Sequence, residues 1–412
     1  MNIFVKVSIC MGLVALFLSC KNKKESIQIN DEETTSLSSI SFPSEKGSSL
    51  PYLFLDKDHL FLSWVTTKDS ITSLFFSEYV EDTWLAPIKI TSGTDWFVNW
   101  ADFPKVAKNG KNLLANYLKM SDTTTYAYDI FVIQKQDKNE WFSPFKIHSD
   151  TTKTEHGFVS MLPFGEESFF ITWLDGRNTK IENHGHEGGG AMTLRGAILS
   201  KDGILSEEQE LDNRICDCCQ TTAAITKNGP VVLYRDRSET EIRDIYIVRN
   251  VDGKWTEPKA IYNDNWEIFG CPVNGPSVAA VENTLAAAWF TGANNQAKVQ
   301  VIFSKDNGET FLTPIQIDGG NPLGRVSIVM VDAENALVSW VEAFGEDAKV
   351  QVVKVNSSGK VSSPFVVTDF SRSRASGFPQ MKLLNNSVYF AWTNVEDTTT
   401  NIKVASIHID AL

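Results

Sequence analysis

Seven short apolar segments, each closing on an aromatic residue, recur along this chain at a nearly constant interval. They read Phe61-Leu62-Ser63-Trp64, Leu114-Ala115-Asn116-Tyr117, Phe170-Ile171-Thr172-Trp173, Val231-Val232-Leu233-Tyr234, Ala286-Ala287-Ala288-Trp289, Leu337-Val338-Ser339-Trp340 and Tyr389-Phe390-Ala391-Trp392. The aromatics stand 53, 56, 61, 55, 51 and 52 residues apart. A fixed period of this size marks a chain built from stacked or radially arranged supersecondary units. The aromatics themselves are read as core.

A second element keeps the same period. Trp84-Leu85-Ala86-Pro87-Ile88-Lys89-Ile90 returns as Trp141-Phe142-Ser143-Pro144-Phe145-Lys146-Ile147, and in shorter form around Pro258, Pro314 and Pro364. Proline cannot donate to a strand ladder, so it belongs on an outermost strand. Between the two elements lies an alternating segment such as Ile130-Phe131-Val132-Ile133 or Val299-Gln300-Val301-Ile302. Each unit therefore reads as four short antiparallel strands, the blade of an all-β propeller. Seven blades are counted, with six as the alternative. The last copy stops after Ile407-His408-Ile409, short of an outer strand. An N-terminal strand, with Ser26-Ile27-Gln28-Ile29 as the candidate, is expected to close the ring and hide that edge.

The N-terminus bears on the compartment. Lys6 precedes an apolar run from Val7 to Leu18 that is too short for a transmembrane helix of about 20 residues. Phe17-Leu18-Ser19-Cys20 resembles the bacterial lipobox, which implies removal of a signal peptide over 1–19 and lipidation of Cys20. The polar stretch 20–49 reads as a tether, and the propeller is expected over 50–412. These readings place the protein in the bacterial cell envelope, touching the membrane through its lipid anchor only. The formal charge of −13 becomes −14 once Lys6 leaves with the signal, which argues against nucleic acid as a partner.

Ser304-Lys305-Asp306-Asn307-Gly308-Glu309-Thr310-Phe311 matches the pattern S-x-D-x-G-x-x-F. Degenerate copies are Val251-Asp252-Gly253-Lys254-Trp255 and Ser200-Lys201-Asp202-Gly203. This motif resembles the Asp-box (BNR repeat) of sialidase-like propellers, a turn between the third and fourth strands. The resemblance implies a glycan-directed propeller, with an exo-sialidase type of glycoside hydrolase as the enzymatic form. It also implies an arginine cluster for a sugar carboxylate and a tyrosine nucleophile with a glutamate partner. No such Tyr–Glu pair is assigned in this sequence.

Propeller geometry sends the loops from strand four to the next strand one, and those from strand two to three, to one face. The first set carries Asp95, Trp96, Trp100 and Asp102; His148, Asp150 and His156; Arg214, Cys216, Cys218, Cys219 and Gln220; Trp266, Cys271 and Asn274; then Arg325, Arg372 and Arg374. The second set carries Asp175, Arg177, His184, His186, Glu187, Arg235, Asp236, Arg237, Arg243, Asp244 and Glu342. Functional loops on a rigid scaffold are a common arrangement.

Two chemistries compete on this face. Arg177, Arg237, Arg243 and Arg325 could converge on the carboxylate of an acidic glycan. Asp102 or Asp95 is then the general acid, with Asp236 beside the arginines, and Trp96, Trp100, Trp266 and Asn274 form the sugar-binding surface. The plainer reading of the arginines is a set of ion pairs bracing the loops. Cys216, Cys218, Cys219 and Cys271, with His184 and His186, form the rival: a soft-metal cluster for copper or zinc, or a redox dithiol. Disulfides are the alternative for the cysteines, since one bridge from the 216–219 group to Cys271 would contribute roughly 4 kcal/mol. A non-catalytic interaction platform is the third possibility, and no cofactor is assigned with certainty.

Overall fold

A computed structural model describes residues 1, 36–136, 140–179, 190–397 and 399–412. The chain folds into seven antiparallel sheets arranged as a propeller. The blades begin at Ser48, Val106, His156, Thr222, Ser277, Pro322 and Gln380. Seven blades, not six, follow from the seven aromatic copies.

The aromatic segments form the second strand of each blade, for example Ser168–Asp175 and Asn335–Phe344. Trp173, Trp289 and Trp340 are fully buried. Their indole N–H groups reach carboxylates: Trp173 to Asp175 at 2.9 Å, Trp340 to Glu342 at 2.6 Å and Trp289 to Asp264 at 2.6 Å. A buried indole needs such a partner. The repeat is thus core, with a polar tip aimed at the loop face.

Apolar side chains of adjacent blades share one core. Leu114, Ile130 and Val132 of the second blade pack with Val159, Met161 and Phe169 of the third. Each proline of the repeat precedes a short outer strand, as Pro144 does before Phe145–Lys146 and Pro314 before Ile315–Gln316. The turn Ser304–Phe311 lies between strands three and four, where Asp306 accepts from the amide of Thr310 at 2.8 Å and from the hydroxyl of Ser304 at 2.7 Å. Asn307 and Gly308 take the left-handed backbone this turn requires.

The last blade is completed from the N-terminal side. Ser38–Ile40 pairs antiparallel with Thr399–His408, Ser39 lying opposite Ala405. The expected closure therefore holds, but through a strand inside the stretch read as tether. Ser26–Ile29 lies outside the described residues. Three short residues suffice because the neighbouring strand is already paired on its other side.

Candidate functional site

Two inter-blade loops and the start of one strand bring Asp102, Glu155 and Tyr128 together. The Tyr128 hydroxyl donates to Oε1 of Glu155 at 2.5 Å and lies 3.3 Å from Oδ2 of Asp102. Asp102 follows the outer strand of the first blade, Tyr128 opens the third strand of the second, and Glu155 precedes the third blade. Asp102 is 2% exposed and Tyr128 1%, whereas Glu155 is half-buried.

Close packing shapes this group. A Cβ on Gly157 would stand 1.9 Å from Oδ2 of Asp102, so only glycine lets the third blade approach that carboxyl. Burial pushes the Asp102 carboxyl up to about 7, against the backbone amide of Phe158 and the Lys105 ammonium. Burial also lifts Glu155 well above the usual carboxylate range, with Asp217, Asp102 and Cys271 adding to it. The Tyr128 phenol is pushed up by burial and by both carboxyls. Lys105, lining the central channel below, is lowered to about 8 by burial.

The cysteines adjoin this group. Sγ of Cys216 lies 3.8 Å from that of Cys218 and 3.7 Å from that of Cys219. Asp217 and Cys271 offer two more ligand atoms, which lie within 4.8 Å of each other and of the Cys218 sulfur. All four thiols are free, two of them buried and Cys271 exposed. Burial raises the Cys216 thiol to about 11. Burial also pushes Cys219 up, but hydrogen bonds from Cys216 and Cys218 and the Arg235 guanidinium outweigh it and bring this thiol well below its ordinary value. The cluster offers thiolates to a soft metal and equally to oxidation. His184 and His186 lie outside the described residues, as does Cys20.

The arginines separate. Arg237 and Arg243 meet on Glu241, at 2.7 Å each, and Arg243 also reaches Sγ of Cys216 at 3.1 Å and Asp217 at 3.4 Å. Arg177 clamps Asp175 with two contacts of 2.7 Å. Arg325 donates to Ser376 and to the carbonyl of Gly377, both at 2.9 Å, and burial without a carboxylate lowers it to about 10. The expected four-arginine cluster therefore reduces to a pair that shares one glutamate, with Asp217 as a second carboxylate for Arg243. Nη1 of Arg237 is buried without a hydrogen-bond partner among the described residues.

The other expected residues divide likewise. Asp236 is buried near Asp212 and Asp244, and burial raises its carboxyl to about 7. Trp96 stacks on Tyr117 at 4.4 Å, and Trp100 stacks on Phe378 at 5.5 Å beneath Arg325. Trp266 is 8% exposed under Arg235, with its ring against Gly292, so it has no open face for a sugar. Asn274 is buried too, its side-chain oxygen accepting from the Arg325 amide at 2.8 Å. Trp266 and Asn274 brace loops.

Tyr128, Glu155, Asp217 and Glu241 were not singled out by the sequence. Tyr128 and Glu155 are 27 residues apart, one opening a strand of the second blade and the other closing the loop that leads to the third. The available signal was positional: a tyrosine opening a third strand and a glutamate closing an inter-blade loop.

The chain matches no known family profile and no curated protein. Among solved structures it is similar to the polysaccharide lyase Uly1, with 9% identity, 87% of this chain and 89% of that chain covered, and a TM-score of 0.52. It is similar to a Penicillium chrysogenum α-L-arabinanase, with 11% identity, 92% and 99% covered, and a TM-score of 0.49. A Hadza microbial sialidase shows 12% identity and a TM-score of 0.41, with 71% of this chain covered and 63%, under two thirds, of that one. At these identities the likeness is one of fold.

Proposed function

We propose that this protein is a glycan-acting propeller of the bacterial envelope, with Asp102, Tyr128 and Glu155 as its acid–base centre. The observation that carries this reading is the Tyr128 hydroxyl held between two carboxyls on the loop face. A shared fold hosts many functions, so the site bears the argument. Tyrosine serves as nucleophile in the sialidase branch of glycoside hydrolysis. Glu155 accepts from the phenol and takes its proton only in its ionised form, which its raised carboxyl reaches above the usual carboxylate range, as the oxygen attacks an anomeric carbon. Asp102, protonated up to about pH 7, supplies the proton to the departing oxygen. Tyr128 and Asp102 are 1% and 2% exposed, so the loops around the half-buried Glu155 must part to admit the sugar before either transfer. Water then completes hydrolysis.

An acidic sugar would meet Arg237, whose Nη1 has no partner among the described residues, and would compete with Glu241 for the rest of the pair. Purified protein is to be assayed against sialosides, uronate-containing glycans and arabinofuranosides, beside Tyr128→Phe, Glu155→Gln and Asp102→Asn. A loss of roughly 10²-fold or more in each variant is expected for acid–base groups. Turnover unchanged by all three would overturn the reading. Lipid attachment at Cys20 is checked by the mass of the mature N-terminus and its shift to the soluble fraction in Cys20→Ala.

A second reading is favoured by the cysteines. Three sulfurs within 4.8 Å of one another, with Cys271 reaching Cys218 from the next loop, suit a thiolate-held copper or zinc ion. A stoichiometric metal lost in Cys218→Ser/Cys219→Ser supports it. Absence of both metal and free thiols would make the cysteines a disulfide framework.

A further inference from the structure

The first strands of all seven blades, with the residues leading into them, line the central channel and enclose a cavity of about 170 Å3. A cavity needs about 10–15 Å3 to hold one water, so this one takes several, or one small anion with part of its hydration. Among the described residues no carboxylate lines it, and its charged side chains are Lys105 and Lys382. The chain as a whole carries a formal charge of −13. Two cations facing one space with no acid in its wall run against that balance.

The ring closure brings the two lysines to one side. Lys105 leads into Val106–Asn109 of the second blade, and Lys382 lies within Gln380–Leu384 of the seventh. Tyr52, in Ser48–Asp56 of the first blade, stands between them. All three side chains are half-buried. Nζ of Lys105 lies 5.9 Å from the ring centroids of both Tyr52 and Phe103. Neither ammonium nor the Tyr52 hydroxyl has a hydrogen bond or ion pair among the described residues. Burial lowers Lys105 to about 8, with Asp102 opposing and Lys382 adding to the effect. Burial alone lowers Lys382, and it raises the Tyr52 phenol to about 12. Asp102, the acid that Lys105 feels, is itself protonated up to about pH 7 and sits outside the cavity wall.

We propose that Lys105 and Lys382, with the Tyr52 hydroxyl, bind a small oxyanion in the central channel, either phosphate or a simple carboxylate. The rest of the wall supplies donors as well. The Thr222 hydroxyl accepts from the amide of Val278 at 3.3 Å, and the Ser277 hydroxyl from the amide of Ile328 at 3.2 Å. Each contact ties neighbouring first strands together and leaves the hydroxyl proton for another acceptor. An ammonium is a compact point charge with three donors, suited to an oxyanion of any orientation. Enclosure strengthens the attraction, because charges shielded from bulk water are screened far less than charges on the surface.

The test titrates the full-length protein with inorganic phosphate, and separately with acetate, at pH 7 in a low-salt zwitterionic buffer. Calorimetry and thermal melts read the outcome. Saturable binding with a rise in Tm is expected. Binding of phosphate alone would mark an inorganic oxyanion site, and binding of both anions a site that also takes carboxylates; either result supports the proposal. Lys105→Met and Lys382→Met are each expected to weaken binding roughly tenfold or more, the usual scale for losing one partner of an enclosed charge pair. Each is also expected to raise the Tm of the anion-free protein, because an uncompensated charge is replaced by an apolar chain of similar length. Arg237→Gln is expected to bind phosphate as the wild type does. The proposal is overturned by a wild type that binds neither anion, by unchanged binding in both methionine variants, or by binding lost in Arg237→Gln alone, which would move the anion to the arginine pair. If one methionine variant does not fold, the other decides.

Discussion

The Tyr128 hydroxyl stands 2.5 Å from Oε1 of Glu155, and the two residues reach each other only because consecutive blades set their loops side by side. A single β-bridge between the same two residues fixes that approach. Asp102, on the far side of the phenol, has its carboxyl pushed up to about 7 by burial. An unfolded aspartate titrates near 3.9, so between about pH 4 and 7 the native state holds a proton that the unfolded state has lost. The free energy of unfolding therefore falls as pH rises through that window and levels off above it. Asp236, also raised to about 7, acts in the same direction. Asp102→Asn is expected to flatten part of this slope, a change of up to about 4 kcal/mol at about 1.4 kcal/mol per tenfold change in proton affinity. Denaturant titrations at pH 4.5 and 7.5 measure it, and an unchanged slope would show that the carboxyl titrates normally.

Gly157→Ala tests the packing around that carboxyl. The new methyl would meet Oδ2 of Asp102 at 1.9 Å, so either the carboxyl or the strand must shift. Overpacking of this kind costs about 1–3 kcal/mol. The expected outcome is a lower Tm with a larger loss in turnover, because Asp102 leaves the phenol. Gly110→Ala is the comparison: no atom lies within 4 Å of its Cβ, so only its left-handed backbone contributes.

Glu241 is shared by two buried guanidiniums, and its removal should be costly. Breaking a buried pair by deleting one partner typically costs about 3–5 kcal/mol, because the remaining charge is left uncompensated. Glu241→Ala leaves Arg237 without its carboxylate and Arg243 with Asp217 alone. Chemical denaturation is expected to show a loss of that order. Added sialic acid or another sugar carboxylate should restore part of it if this arginine pair is an anion site. No restoration by any carboxylate would confine the pair to bracing the loops.

The blade architecture was legible because it rests on periodic signals. The aromatic within each second strand marks every repeat, and a proline before the outer strand marks five of the seven. The ring closure was legible in kind but not in position. Ser38–Ile40 is a polar segment whose strand character comes from the open edge of Thr399–His408 and not from its own residues. The loop face was legible from connectivity, and it does gather Asp102, the cysteines and the histidines. Pairing within it was not. Arg177, Arg237, Arg243 and Arg325 look alike in sequence, yet Asp175, Glu241 and the carbonyl of Gly377 give them separate roles. Glu155 was invisible because no local pattern marks a residue whose partners come from three other loops.

Trp340 offers a measure of how much each repeat contributes. Its ring is fully buried between blades, and its N–H reaches Glu342, which in turn accepts from the amides of Asn321 at 2.7 Å and Gly319 at 3.3 Å. Trp340→Phe should cost less than Trp340→Ala, for which about 3–5 kcal/mol is expected. The phenylalanine variant keeps much of the apolar volume and isolates the lost hydrogen bond. Equal losses in the two would mean that the indole N–H, not the ring, carries the stabilisation.

The closing strand gives the last prediction. Ser38–Ile40 covers the edge of Thr399–His408, and Phe42 beyond it sets its ring against Trp64 at 4.9 Å and Trp84 at 5.2 Å in the first blade. The segment thus spans the seam where the ring begins and ends. Deleting residues through Ile40 should lower Tm and bare a ten-residue strand edge, which invites pairing between molecules. Light scattering and thermal melts compare the truncated and full-length chains. A lone Phe42→Ala should lower Tm without aggregation, because the strand still covers the edge. If truncation left both Tm and association unchanged, the seam would be held by the apolar contacts between first and last blades, such as Leu62 and Trp64 against Ala391 and Val404.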